Sequence, residues 1–206
     1  MKEDTKEISD KVLELGDVAL EFSKINRVTL HQDGVRPESD TDHTFMLSLI
    51  CGSLADKFYK NSLDLGLVSQ FAILHDLVEV YAGDTDSLVH SSHEAKKIKE
   101  EKELESLLKL KNKFANIFPW IHEMIEKYEA QDTKEARFVK IVDKILPKIT
   151  SVLNNCVAIK KRKTKDEYRN FISDQTVQFK EYFDEFPEIL TVFNDINQKS
   201  LEVFQE

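Results

Sequence analysis

The stretch Leu74-His75-Asp76-Leu77-Val78-Glu79 sets an imidazole and two carboxylates into otherwise apolar surroundings. Leu67, Phe71, Leu74, Val78 and Tyr81 recur at steps of four and three, the spacing of one buried stripe of an α-helix. His75 and Glu79 fall one turn apart, and Asp76 and Glu79 three residues apart. The pattern therefore predicts all three on one side of a helix over about residues 63 to 81. Buried carboxylates are costly unless something pairs with them. A divalent cation satisfies His and Asp together.

Two further residues stand out as ligands. His43 follows Ser39, Asp40 and Thr41, which offer N-caps, and opens a helix whose expected buried side is Phe45, Met46, Leu49, Ile50 and Leu54. Asp143 lies inside the run Phe138 to Ile149, apolar nearly all round and expected as a central helix over 133 to 150, with Asp132 and Glu135 as its capping pair. Lys140 and Lys144, which could neutralise Asp143, do not share its expected face. The set His43, His75, Asp76 and Asp143 suits one ion of Mn²⁺, Fe²⁺, Co²⁺, Ni²⁺ or Zn²⁺ with positions left open for water and substrate. It holds no thiolate, which argues against a closed structural zinc site. Glu79 beside such an ion is a candidate general base or acid, and Arg27 offers a planar fork that matches phosphate. The chemistry is that of phosphoester hydrolysis.

The elements that must position these residues read as helices. Glycine and proline are scarce, at five and four in 206 residues, and period-3.6 patterns are almost continuous. That predicts an all-α fold in one domain over 1 to 206, with a metal-site core over about 10 to 150 and extra helices over about 151 to 206. A first helix is expected over 6 to 24, facing inward with Ile8, Val12, Leu15, Val18, Ala19 and Phe22. A polar loop follows through His31-Gln32-Asp33-Gly34, and Val35-Arg36-Pro37-Glu38-Ser39 cannot continue a helix. Gly83 should cap the 63 to 81 helix. Ser91 and Glu94 form a capping-box pattern for a charged helix to about 112, with His90 and His93 at its surface. Phe118-Pro119-Trp120 opens a helix to about 130, its Trp120 a core or subunit-contact ring. Helices over 165 to 184 and after Pro187 carry aromatic faces and no evident chemistry.

Apolar content of 41% is that of a globular chain. A net charge of −9 argues against a nucleic-acid-binding surface. The basic run Lys160-Lys161-Arg162-Lys163 reads as a solvated helix end. Cys51 and Cys156 lack metal or redox spacing and read as reduced core residues. The charged N-terminus shows no signal region, and no apolar run reaches the length of a membrane span. The expectation is a soluble cytoplasmic protein that meets neither membrane nor nucleic acid.

The order His43, His75-Asp76, Asp143 across a helical chain resembles the HD-domain phosphohydrolases. The stretch Asn26-Arg27, Val35-Arg36-Pro37-Glu38, Asp42-His43 and His75 through Asp84 looks like their bacterial 5'-deoxynucleotidase branch, over roughly residues 10 to 150. The resemblance implies a metal-dependent hydrolase that releases phosphate from 2'-deoxyribonucleoside 5'-monophosphates, working as a homodimer in nucleotide metabolism. It implies that Glu79 positions or deprotonates the attacking water, and that Asp84 acts with it at the sugar end of the pocket. It further implies that Arg27 binds the substrate phosphate, with Arg36 and Glu38 supporting the substrate site. The chain departs from the branch at Asp42 and Thr44 around the first ligand, at Val28 where a large aromatic is usual, and at Thr85-Asp86-Ser87. Those positions fall near the expected sugar and base. The nearest alternatives are a related hydrolase of nucleoside triphosphates or another small phosphate ester, and a non-catalytic metal-binding sensor. No dense basic cluster is evident in the sequence, which favours a monophosphate; Glu79 argues against the sensor.

Overall fold

The computed structural model describes residues 2–84 and 93–204. Its elements run α1 (Lys2–Phe22), β1 (Asn26–Leu30), β2 (Pro37–Ser39), α2 (Asp40–Tyr59), α3 (Leu65–Leu74), α4 (Glu79–Ala82), α5 (His93–Phe114), α6 (Trp120–Ala130), α7 (Lys134–Asp143), α8 (Leu146–Leu153), α9 (Val157–Lys160), α10 (Lys165–Gln178), α11 (Lys180–Glu185) and α12 (Pro187–Val203). The all-α architecture agrees with the sequence. Thr85-Asp86-Ser87, His90 and the capping residue Ser91 lie outside the described residues.

The core is built around α3, which packs against α2, α6 and α7. Val68, Phe71 and Ala72 of α3 are fully buried, as are Leu47, Cys51 and Ala55 of α2 and Phe138, Val139, Ile141 and Val142 of α7. On α2 the buried stripe is the one through His43, Leu47 and Cys51. Phe45 and Leu49, expected inside, are 71% and 62% exposed. Both faces of that helix are apolar, so periodicity alone could not choose between them. Likewise α1 packs through Val18 and Phe22 while Ile8 and Val12 stay exposed.

Three expected continuities are broken. The helix over 63 to 81 stops at Leu74. The His75 amide still bonds the Phe71 carbonyl at 2.9 Å, but Leu77 bonds Leu74 and Glu79 bonds Asp76, three residues back. This tightening eclipses residues i and i+3. It aligns Asp76 with Glu79 and turns Tyr81, expected on the buried stripe, out to 41% exposure. The Ser106 hydroxyl of α5 donates to the Val78 carbonyl and pins the turn. Gly83, at φ 76°, closes α4 with its amide on the Glu79 carbonyl at 2.7 Å. The helix over 133 to 150 ends at Asp143, because Pro147 has no amide hydrogen for the residue four back and its ring crowds that carbonyl. Its N-cap is Thr133, whose hydroxyl accepts from the Ala136 amide, and not Asp132. The helix over 165 to 184 divides at Phe179 into α10 and α11.

A further difference is the pair of short strands flanking the polar loop over 31–34, which itself forms the turn between them. β1 and β2 form an antiparallel hairpin with an irregularity between Asn26–Ser39 and Leu30–Pro37. Asp33 Oδ1 accepts from the Val35 and Arg36 amides, and Gly34 takes φ 69°. Asn154 Nδ2 donates to the Leu30 carbonyl at 2.7 Å and ties the hairpin to the end of α8.

Trp120 is not a core residue. It is 42% exposed, and its indole N–H donates to Gln70 Oε1 at 2.9 Å. The stretch Leu65–Ala82 is, contrary to expectation, long and apolar enough to cross a bilayer by length and composition. It is broken at the turn, carries His75, Asp76 and Glu79, and half of it is buried among the other helices. A core helix passes the same compositional test.

Candidate metal centre and active-site cavity

Three chain ends converge to make the site. His43 sits on the first turn of α2, held by a capping box in which Ser39 Oγ accepts from the Asp42 amide and Asp42 Oδ2 accepts from the Ser39 amide. His75 is the residue after α3, and Asp143 is the last residue of α7. One ligand atom from each of His43, His75 and Asp143 lies within 4.8 Å of the others. His43 and His75 are 1% and 3% exposed.

The donor set fits a cation on its own chemistry. His75 Nδ1 faces the Ala72 carbonyl at 2.9 Å, an arrangement that suits a proton on Nδ1 and makes Nε2 available to a cation. That Nε2 is buried, has no hydrogen bond, and lies 2.9 Å from Asp76 Oδ2. Two acceptors at that separation repel unless a cation lies between or beside them. Asp76 Oδ2 is also 3.8 Å from His43 Nε2, and Asp143 Oδ1 is 3.0 Å from His43 Nε2 and 4.0 Å from His75 Nε2. All four sequence candidates are thus brought together.

Electrostatics in the cluster are strong. Burial would lower the His43 pKa, but its hydrogen bond to Asp143 and the neighbouring Glu38 outweigh that and raise it to about 9. Burial would raise Asp143, but Lys144 and the two histidines hold it well below the usual carboxylate range. Lys144 Nζ reaches Asp143 Oδ2 at 2.7 Å, contrary to the expectation that it lies off that face. The turn after Asp143 carries it round. Asp76 is likewise held low against its burial by His75 and Arg27.

Arg27 on β1 is the second centre. Its Nη1 lies 3.0 Å from Asp40 Oδ1, 3.0 Å from Asp76 Oδ2 and 3.7 Å from Glu79 Oε2. Asp40 is fully buried and was missed by the sequence reading, where it served only as a possible cap. Burial raises its pKa to about 6 against the pull of Arg27. Glu79 is 2% exposed, and burial together with the charges of Asp76, Asp84 and Asp40 pushes it up to about 11. It holds its proton at neutral pH in the absence of added positive charge. Lys99 of α5, also missed, approaches Glu79 Oε1 at 3.7 Å and Glu103 at 3.3 Å. Its sign-alternating helix disguised it as a solvated residue.

Asp84 lines the same cavity, and burial raises its pKa against the pull of Arg27. Glu38 sits behind His43, its Oε1 3.6 Å from His43 Nδ1, and accepts from the Thr29 hydroxyl. It braces the imidazole rather than facing the cavity. Arg36 is half-exposed, pairs with Asp42 at 2.8 Å, and reaches the site only through that capping residue.

A cavity of about 750 Å³ opens onto His75, Asp76, Glu79, Arg27 and Asp143. Its other wall comes from α8 to α10, where no chemistry was expected. Lys144, Lys148, Arg162 and Lys163 line it beside Tyr168 and Phe171. The basic cluster not evident along the sequence is therefore assembled by the fold, although Lys160, Lys161 and Arg162 are exposed at the end of α9, as the sequence suggests.

The family model for the HD domain matches residues 22–187. Among curated proteins, the chain is 30% identical over 108 residues to "5'-deoxynucleotidase HDDC2" of Xenopus laevis and 28% identical over 108 residues to the protein of that name in Homo sapiens. Each match covers 52% of this chain and about half of the relative, so the chain spans about half the length of the curated relatives it matches. Among solved structures, a predicted metal-dependent phosphohydrolase from Magnetospirillum magnetotacticum superposes with a TM-score of 0.72 at 21% identity, over 95% of this chain and 94% of that one. A conserved hypothetical protein from Pyrococcus furiosus gives 0.59 at 24% identity, over 90% and 99%. These two share the fold. With the family match covering most of its length, and with the paired His75-Asp76 flanked by His43 and Asp143, the chain belongs to the HD-domain family.

Proposed function

We propose that this protein is a metal-dependent phosphohydrolase that releases phosphate from 2'-deoxyribonucleoside 5'-monophosphates. The observation that carries the reading is the position of Arg27, a phosphate-matching cation 3.0 Å from Asp76 and beside Glu79, in one cavity with His75, Asp76 and Asp143. His43, His75, Asp76 and Asp143 would hold one divalent ion, with Mn, Co, Fe, Ni and Zn all compatible. Such an ion supplies Lewis-acid polarisation of a phosphoryl oxygen and a more acidic water. Arg27 orients the phosphate, and Glu79, flanked by Arg27 and Lys99, handles the proton. Asp84 faces the sugar. The relatives named as 5'-deoxynucleotidases support the nucleotide class. A second reading, hydrolysis of nucleoside triphosphates, is favoured by the basic wall.

The exposed Phe45 and Leu49, one turn apart on α2, support a homodimer. The buried free Cys51 and Cys156 support a reducing, cytoplasmic location. The test is phosphate release from deoxy- and ribonucleoside mono-, di- and triphosphates with Mn²⁺ or Co²⁺, with and without EDTA. Release from the deoxy-monophosphates that stops with EDTA is expected. Release only from triphosphates would install the second reading, and no release from any ester would remove both.

A further inference from the structure

Lys148 is a lysine in the wrong place for a structural residue. It is 4% exposed and lines the cavity, yet among the described residues no carboxylate forms an ion pair with it and nothing accepts a hydrogen bond from its ammonium. What it meets is aromatic. Its Nζ lies 5.6 Å from the centre of the Phe171 ring and 5.3 Å from that of Phe193. Lys163, half-buried, lies over Phe171 too, at 5.5 Å, with Glu167 the carboxylate that feels its charge. Ring faces offset part of the cost of burying a cation but supply no counter-charge. A buried ammonium and a half-buried one over the same ring, both on the wall of a cavity that also holds a phosphate-matching arginine, offer positive charge to an anion.

We propose that Lys148 and Lys163, over Phe171, form a second anion subsite, so that a phosphoester carrying another phosphate or carboxylate besides the group removed binds more tightly than a simple 5'-monophosphate. This rests on the phosphohydrolase reading for its context but concerns binding, which is separable from turnover. It also gives the C-terminal helices a task. Asp143 and Lys144 at the α7–α8 turn belong to the metal end, and Lys148 lies further along α8. Burial and the nearby Lys144, partly opposed by Asp143, lower the Lys148 pKa to about 7. A bound anion would restore its full charge.

The experiment is calorimetric titration of the Mn²⁺-loaded full chain, in a slow Glu79→Gln background, with three probes. These are deoxyadenosine 5'-monophosphate, its 5'-diphosphate and its 3',5'-bisphosphate. One doubly charged probe is expected to bind about 10-fold more tightly than the monophosphate, the scale of one charge-assisted contact. A diphosphate preference sets the second anion next to the first; a bisphosphate preference sets it across the sugar. Lys148→Met should bring the ratio close to one, Lys163→Met should lower it, and Lys148→Arg should retain it. Equal affinity for all three probes, or a preference that survives Lys148→Met, overturns the subsite. A Lys148-dependent ratio in a protein whose native form releases no phosphate would instead keep the subsite and remove the hydrolase reading.

Discussion

The two walls of the cavity handle charge in opposite ways. On the metal wall nearly every charge has a partner in the protein: Arg27 with Asp40 and Asp76, Lys99 with Glu103, Lys144 with Asp143. The buried atoms left there without a hydrogen bond, among the described residues, are imidazole nitrogens and carboxylate oxygens, His75 Nε2, Asp40 Oδ2 and Glu79 Oε2 among them. On the α8–α10 wall the lysines at 148 and 163 rest on phenylalanine rings. Paired charges fix geometry at a modest net gain, whereas unpaired ones are held at a cost that only a ligand repays. The first wall is built to keep its shape and to receive a cation; the second is built to receive an anion.

The difference is broken most severely at the metal wall. His75→Ala should abolish metal retention and reduce phosphate release by roughly 10³-fold or more, as when one member of a cooperating catalytic set is lost. Metal content after dialysis and a phosphate assay check it, and retained activity would remove His75 from the site. Glu79→Gln should keep the metal and still lose about 10²–10⁴-fold in turnover. A variant that loses the metal as well would make Glu79 a determinant of the site's shape instead of a proton carrier.

The metal wall was legible in the sequence because each ligand is chemically out of place: His75, Asp76 and Asp143 interrupt apolar helical runs. Pro147 also announced the end of α7, four residues after Asp143, although the run of apolar residues concealed it. Asp40 was not legible, since an acid before a helix reads as a cap, and its contact with Arg27 depends on a hairpin too short for alternation to show. The basic wall was illegible for a different reason. Lys144, Lys148 and Lys163 are spread over separate elements, and only the folding of α8 to α10 over the core brings them onto one surface. The exposure of Phe45 and Leu49 was equally hidden, because α2 is apolar on both sides.

The Arg27 knot tests the claim that the first wall is internally paired. Arg27→Met leaves Asp40, fully buried, without its counter-charge, and should destabilise the fold by about 3 kcal/mol. Adding Asp40→Asn should recover a good part of that loss, read as a positive coupling in a denaturant double-mutant cycle. Strict additivity would mean that the pair holds nothing together.

The smallest effect sharpens the other half of the comparison, because an unpaired buried lysine leaves a signature in the pH dependence of stability. Lys148 has its folded pKa lowered to about 7 from the ordinary 10.5, mainly by burial. Between those values the unfolded chain binds the proton and the folded protein does not, so stability rises with pH across that window, by at most about 1.4 kcal/mol per pH unit. Below pH 7 both states are charged and the contribution is flat. Asp143 faces the same group, is held well below the usual carboxylate range and so keeps its charge throughout the window, adding nothing to the slope. Chemical denaturation of the metal-free protein between pH 7 and 10 should show the rise as the native-minus-Lys148→Met difference, because His43 and Glu79, with raised pKa values, add to both curves a fall with pH. Lys148→Met should be the more stable near pH 7. A native curve parallel to that of Lys148→Met would mean that this lysine is solvated or already paired, and the two walls would then differ in composition but not in kind.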